Sequence, residues 1–197
     1  MKLIILDRDG TINEDRKDFV KSPQEWQALP GALEAIARLN QAGWHVVIAS
    51  NQSGLGRGLF DMAALNAMHN KMHRLLADAG GRIDAIFFCP HEATEACHCR
   101  KPAPGLFLQI LERTGADAAH THAVGDSLRD IQAAAAAGCH THLVLTGNGR
   151  ALHDQLPLPE FPSNTRIHQD LAAFAEALLA NESSGAHPNT TSSSVCI

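Results

Sequence analysis

Apolar residues in this chain fall into short runs that stop at polar clusters, separated by longer stretches with three- and four-residue apolar spacing. Leu3-Ile4-Ile5-Leu6 reads as a buried parallel strand and ends in Asp7-Arg8-Asp9-Gly10-Thr11. A second run, Trp44-His45-Val46-Val47-Ile48-Ala49, ends in Ser50-Asn51-Gln52-Ser53-Gly54. Residues 85–88, the run into Ala123-Val124-Gly125 and residues 142–145 complete the predicted strands. Helical spacing covers 30–39, 61–76, 106–111 and 128–137, with Asp61 as an N-cap, Gly138 as a stop and Met62, Leu65, Met68, Met72 and Leu75 as a core-facing stripe. Strand and helix alternate throughout, which predicts an α/β fold with a three-layer, Rossmann-like parallel sheet. In such sheets ligands bind at the carboxyl ends of strands, and every polar cluster named above sits at one.

With 197 residues, of which 45% are hydrophobic, the chain can bury one core. A single domain is expected over 1–180. Only a short polar stretch lies between Asp9 and the helix at 30–39, which leaves no room for a cap domain there. The Ser/Thr-rich segment 181–197 reads as a disordered tail. A net charge of -5 with scattered Lys and Arg gives no case for nucleic acid, and the absence of a long apolar run or secretory segment gives none for a membrane. A cytoplasmic monomer is expected. His120, His122, His140 and His142 read as surface or strand-flank residues.

The strand ends carry the chemistry. Asp7 and Asp9 can divide the work of phosphoryl transfer, one carboxylate attacking phosphorus while holding Mg²⁺ and the other moving a proton; Gly10 permits the sharp turn. Ser50 can donate to phosphoryl oxygens, Lys101 offers a compact positive charge and Arg100 a planar fork for a second anion. Asp126 is placed to ligate Mg²⁺, and Asp130, one helical turn on, to orient that shell or Lys101. Each segment alone has a plain alternative: an Asp-rich turn, a solvated basic loop, a capped helix start.

The loop 89–99 has metal-ligand spacing. Cys89-x-His91 and Cys97-x-Cys99 supply three thiols and an imidazole, enough for a closed tetrahedral structural zinc site with no place for a catalytic water. The alternatives are a reduced or a disulfide-bonded cluster, the second disfavoured in a cytosol. His98 competes as a ligand, but it lies between paired cysteines, where binding the same ion would strain the loop. Zinc there would pin Arg100 and Lys101, which follow Cys99 directly.

Taken in order, DxDGT at Asp7, the strand-end Ser50, Lys101 and GDxxxD at Asp126 resemble the haloacid dehalogenase-like phosphatase superfamily. The resemblance covers about residues 2–145. It implies Asp7 as the nucleophile of an aspartyl-phosphate, Asp9 as general acid/base, Ser50 and Lys101 as phosphoryl stabilisers, and Mg²⁺ held by Asp7, Asp126 and the backbone carbonyl of Asp9. The zinc loop before Arg100-Lys101-Pro102, with Asn-Gln-Ser-Gly-x-x-Arg-Gly from Asn51 through Arg57 to Gly58, is similar to the heptose 1,7-bisphosphate 7-phosphatases. That resemblance implies a small phosphorylated sugar as substrate, recognised by Asp15, Arg16, Lys17, Asp18, Asn51, Gln52, Ser53 and Arg100, and a place in ADP- or GDP-heptose synthesis for lipopolysaccharide core or surface glycans. The histidinol-phosphate phosphatases share the DxDGT start and the zinc loop but typically carry an acid where Ser53 stands. A zinc-stabilised binding module is a third reading, opposed by the intact Asp7, Asp9, Lys101 and Asp126 set. Two departures stand out: the zinc loop is short between its ligand pairs, and Ser127 occupies a position where some members have Lys.

Overall fold

The computed structural model describes residues 1–185. Its strands are β1 (Leu3–Leu6), β2 (His45–Asn51), β3 (Ala85–Cys89), β4 (Thr121–Gly125), β5 (His140–Val144) and β6 (Arg166–His168). They form one sheet in the order β3-β2-β1-β4-β5-β6, and every neighbouring pair is parallel. The central strand β1 is buried along its whole length, as a parallel strand covered on both faces must be.

Alternate residues of each strand feed two cores, one per face. Ile4, Leu6, Val46, Ile48, Val124 and Val144 pack against α1 (Ala32–Gln41), α3 (Met62–Asp78) and α7 (Leu171–Gly185), where Trp26, Leu39, Met72 and Phe174 fill the interior. Leu3, Ile5, Val47, Ala49 and Ala123 face α4 (Gly105–Thr114) and α5 (Leu128–Ala136). The alanines of α5 bring its backbone close to the sheet. Two short helices, α2 (Ser53–Gly56) and α6 (Gly149–His153), follow β2 and β5. The three-layer α/β arrangement is as expected, and no inserted domain interrupts residues 10–31, which run as loop and turns.

Caps fix the helix starts as read from the sequence. Asp61 accepts from the backbone N–H of Ala64 at 2.8 Å and begins α3. Ser127 begins α5, its hydroxyl and N–H both directed at the Asp130 carboxylate.

Four details differ. Met62 is exposed, because the first turn of α3 overhangs the core, and Leu76 rather than Leu75 completes the buried stripe. The strand expected at 142–145 starts two residues earlier, at His140. Residues 181–185 continue α7 instead of belonging to a disordered tail: Glu182 accepts from the Trp44 indole at 3.3 Å and pairs with Lys2 at 2.7 Å. The remainder of that expected tail, 186–197, lies outside the described residues. Finally, His142 is buried and His122 partly so. With His168 they form a ring-to-ring chain across β4, β5 and β6, at 2.9 Å between His122 and His142 and 3.0 Å between His142 and His168.

Candidate active site

The carboxyl ends of β1, β2 and β4 open into one cavity of about 460 Å³, lined among others by Asp7, Asp9, Ser50, Arg100, Lys101 and Asp126. Residues far apart in sequence meet there because the sheet order sets β1 between β2 and β4. Lys101 is buried and its ammonium donates to Asp7 Oδ1 at 2.7 Å, to the Ala49 carbonyl at 2.7 Å and lies 2.5 Å from Asp130 Oδ1. Asp130 therefore does both jobs that its spacing allowed, capping α5 and holding the lysine.

Asp7, Asp126 and Asp130 place carboxylate oxygens within 4.8 Å of one another, against one buried ammonium. Burial pushes Asp7 up to about 7 despite Lys101 beside it, and burial with the charges of Asp130 and Asp7 pushes Asp126 up to about 8. Burial alone would depress Lys101, but the two carboxylates outweigh it and hold it above its ordinary value. The pocket is thus short of positive charge, and an oxygen-rich cluster with that deficit fits a hard divalent cation such as Mg²⁺. Asp130 is already engaged by Lys101 and Ser127, so Asp7 and Asp126 suit the cation better.

Asp9 is handled differently. Burial would raise it, yet Arg8, Asn13 and Gln52 more than compensate and hold its carboxyl below the usual range. Arg8 donates through Nε and Nη2 at 2.8–3.1 Å, Asn13 at 2.8 Å and Gln52 at 2.9 Å. Arg8 itself is almost completely buried and also reaches Gln52 and His69.

The second cluster lies in the loop 89–99, which with Ala93 and the following Arg100 adds to the cavity lining. Cys99 Sγ is 3.1 Å from Cys89 Sγ and 3.8 Å from Cys97 Sγ, Cys89 and Cys97 are 3.7 Å apart, and His91 Nδ1 is 3.4 Å from both Cys89 and Cys99. The edges of a zinc tetrahedron with Zn–S near 2.3 Å are about 3.8 Å. The edges from Cys97 to the other two thiols match that spacing and the Cys89–Cys99 edge is shorter; His98 is not among the four, and the three cysteines are free thiols. The backbone N–H of Arg100 donates to Cys97 Sγ at 3.3 Å and the Arg100 guanidinium to the His91 carbonyl at 3.1 Å, so the loop holds Arg100 at both ends.

Comparison with known proteins agrees with this geometry. Residues 98–174 match the family model described as HAD-hydrolase-like. The chain is 63% identical over 179 residues to the D-glycero-beta-D-manno-heptose-1,7-bisphosphate 7-phosphatase of Bordetella bronchiseptica, covering 91% of this chain and 98% of that one. It is 50% identical to the enzyme of the same name from Neisseria meningitidis serogroup A, covering 91% and 95%. Among solved structures, the B. bronchiseptica D,D-heptose 1,7-bisphosphate phosphatase complexed with magnesium and phosphate aligns with a TM-score of 0.89 at 61% identity, covering 92% of this chain and 99% of that one. The Burkholderia thailandensis enzyme aligns with a TM-score of 0.72 at 53% identity, covering 91% and 99%.

The chain belongs to the heptose 1,7-bisphosphate 7-phosphatase family of HAD-like hydrolases.

Against that family background, the expected substrate residues separate into two groups. Asp15, Arg16, Lys17, Ser53 and Arg100 line the cavity. Asp18 does not; it turns outward, where Lys21 and Arg16 engage it at 2.7 and 3.2 Å. Asn51 and Gln52 reach the cavity but spend their amides inside the protein. Asn51 brackets the Lys101 backbone, donating to its carbonyl and accepting from its N–H at 3.1 Å each. Gln52 donates to Asp9 and, at 2.7 Å, to Ser50 Oγ.

Several further residues build or brace this cavity without a signal in the sequence. Arg8 escaped notice because an arginine between two aspartates reads as solvent-facing. Phe19 is the one non-glycine residue with a left-handed backbone among those described, at φ 69°. Its ring carries Arg57 at 5.7 Å, which also pairs with Glu92 of the loop 89–99 at 3.5 Å. Asn148 approaches from the turn after β5, whose Thr-Gly-Asn-Gly composition looks like ordinary turn chemistry.

Proposed function

We propose that this chain hydrolyses the C7 phosphate of D-glycero-D-manno-heptose 1,7-bisphosphate through an aspartyl-phosphate on Asp7. One observation carries the reading: Lys101 beside Asp7 at the floor of the cavity, and Arg100 fastened by the zinc loop on its wall, offer two separate cationic positions for a substrate with two phosphates.

Asp7 attacks phosphorus in line with the C7 oxygen, and Lys101 compensates charge on the phosphoryl group. Ser50 accepts from Gln52 and so directs its own hydroxyl proton toward a phosphoryl oxygen. Mg²⁺, held by Asp7, Asp126 and the Asp9 carbonyl, would supply Lewis-acid stabilisation of the equatorial oxygens. An arriving phosphate raises the proton affinity of Asp9, which takes up a proton from solvent and gives it to the departing alkoxide. Asp9, ionised again beside Arg8, then takes a proton from the water that attacks the aspartyl-phosphate; inorganic phosphate leaves and Asp7 is restored. Asn51 and Gln52 act as positioning residues, while Asp15, Arg16, Lys17, Ser53 and Arg100 meet the heptose and its C1 phosphate. Zinc on Cys89, His91, Cys97 and Cys99 keeps Arg100 and Lys101 in place. As the family implies, the product would feed nucleotide-activated heptose synthesis for lipopolysaccharide core or surface glycans in the cytoplasm.

Steady-state phosphate release from heptose 1,7-bisphosphate and from histidinol phosphate tests the substrate. The expected kcat/KM is at least about a hundredfold higher for the heptose, a difference that matches loss of a charge-assisted contact to a second phosphate. A preference for histidinol phosphate would contradict the reading.

A further inference from the structure

The turn Thr146-Gly147-Asn148-Gly149, between β5 and α6, closes over the DxDG motif from the opposite side to the zinc loop. The Thr146 hydroxyl donates to the Gly10 carbonyl at 2.6 Å. Gly147 has φ 51°, and a Cβ there would run into the Asp126 carboxylate and the Gly10 backbone. Only a chain without side chains at both glycines can come this close. The approach delivers Asn148, whose backbone N–H and side-chain Nδ2 donate to the same Asp126 oxygen, Oδ2, at 2.8 and 3.0 Å. Its amide also donates to Asp15 Oδ2 at 3.1 Å. A primary amide has two N–H bonds, one for each carboxylate.

We infer that Asn148 is a positioning residue that fixes the rotation of the Asp126 carboxylate and couples it to Asp15 on the substrate loop. The inference rests on the reading of Asp126 as a Mg²⁺ ligand. Two donors on Oδ2 leave Oδ1 to face the cation, the arrangement by which outer hydrogen bonds orient a metal-binding carboxylate. The link to Asp15 gives the coupling a direction in both senses: substrate that orders the loop 15–17 tightens the hold on Asp126, and a cation on Asp126 steadies Asp15 through the shared amide. Asn148 is exposed and its backbone is ordinary, with φ -84° and ψ -10°, so replacing it leaves the fold intact.

Calorimetric titration of the purified chain with MgCl₂ tests this. Asn148→Ala, which keeps the backbone N–H and loses the amide, is expected to weaken Mg²⁺ binding about tenfold and to raise KM more than it lowers kcat. Asn148→Asp, close in shape but presenting a carboxylate to two carboxylates, is expected to bind Mg²⁺ more weakly still. A packing role would give the reverse order. Asp15→Ala should change Mg²⁺ affinity in the native background and leave it unchanged in the Asn148→Ala background. Asp126→Ala serves as the reference. If it binds Mg²⁺ like the native chain, the metal reading itself fails; if it loses binding while Asn148→Ala titrates like the native chain, the role given to Asn148 is overturned.

Discussion

Asp7 and Asp9 are two residues apart on one strand end and live in opposite electrostatic settings. Asp9 is bound by Arg8, Asn13 and Gln52 and stays ionised, whereas Asp7 is raised to about 7 by burial that Lys101 only partly offsets. As they stand, Asp7 needs a neighbouring cation to be ionised for attack, and Asp9 needs an arriving phosphate to take up a proton, so each role depends on what binds in the cavity. Asp7→Asn keeps the volume and removes the nucleophile. Turnover should fall by at least about a thousandfold while circular dichroism shows the native fold, because burial already disfavours the Asp7 charge. Residual activity near the native rate would mean that another group attacks phosphorus. At this scale the sequence was legible where a residue sits at a strand end or just before a helix, since Asp7, Asp9, Ser50 and Asp126 on the one hand and Lys101 on the other all reached the cavity. It was opaque for Asn51, Gln52 and Asp18, because whether a polar side chain faces substrate, backbone or solvent depends on neighbours brought by the fold.

Strands and helices were readable from period and capping, and their limits moved by about two residues. What the pattern hid is the histidine chain across β4, β5 and β6. Isolated histidines in strands carry no signal of mutual contact, and parallel register alone places His122, His142 and His168 diagonally on the face that meets Phe174 of α7. Burial holds His142 down to about 2 and His122 to about 4, with further lowering from neighbouring imidazoles and Arg166, and Glu182 acting the other way on His122. These rings are neutral in the folded protein and take up protons only on unfolding once the pH is below about 6.5. Their contribution to stability is therefore full above that value and is lost as pH falls toward 4. His142→Gln should lower the melting temperature at pH 8, where three ring contacts are lost. The deficit should shrink between pH 7 and 5, where the native chain carries the protonation penalty of one more buried ring than the variant. A deficit that stays constant or grows in that interval would show that the rings are not held neutral.

Two segments brace one cavity: the loop 89–101 from the β3 side and the Thr146–Gly149 turn from the β5 side, both meeting the end of β1. The grouping of Cys89, His91, Cys97 and Cys99 was legible from spacing, with His98 the competing candidate, because short-range Cys and His pairs need little tertiary information. The bracing by the turn was not, since its partners are 22 and 133 residues away. Cys97→Ser should lower activity through the Arg100-Lys101 segment, with metal analysis finding less than one zinc per chain; full activity in protein free of zinc would remove that link. The central question is which ester is cleaved. Following heptose 1,7-bisphosphate by phosphorus nuclear magnetic resonance during turnover decides it. The signal of the C7 phosphomonoester should give way to inorganic phosphate while the C1 phosphate resonance persists, whereas loss of the C1 signal, or no change in either, would contradict the placement of C7 against Asp7.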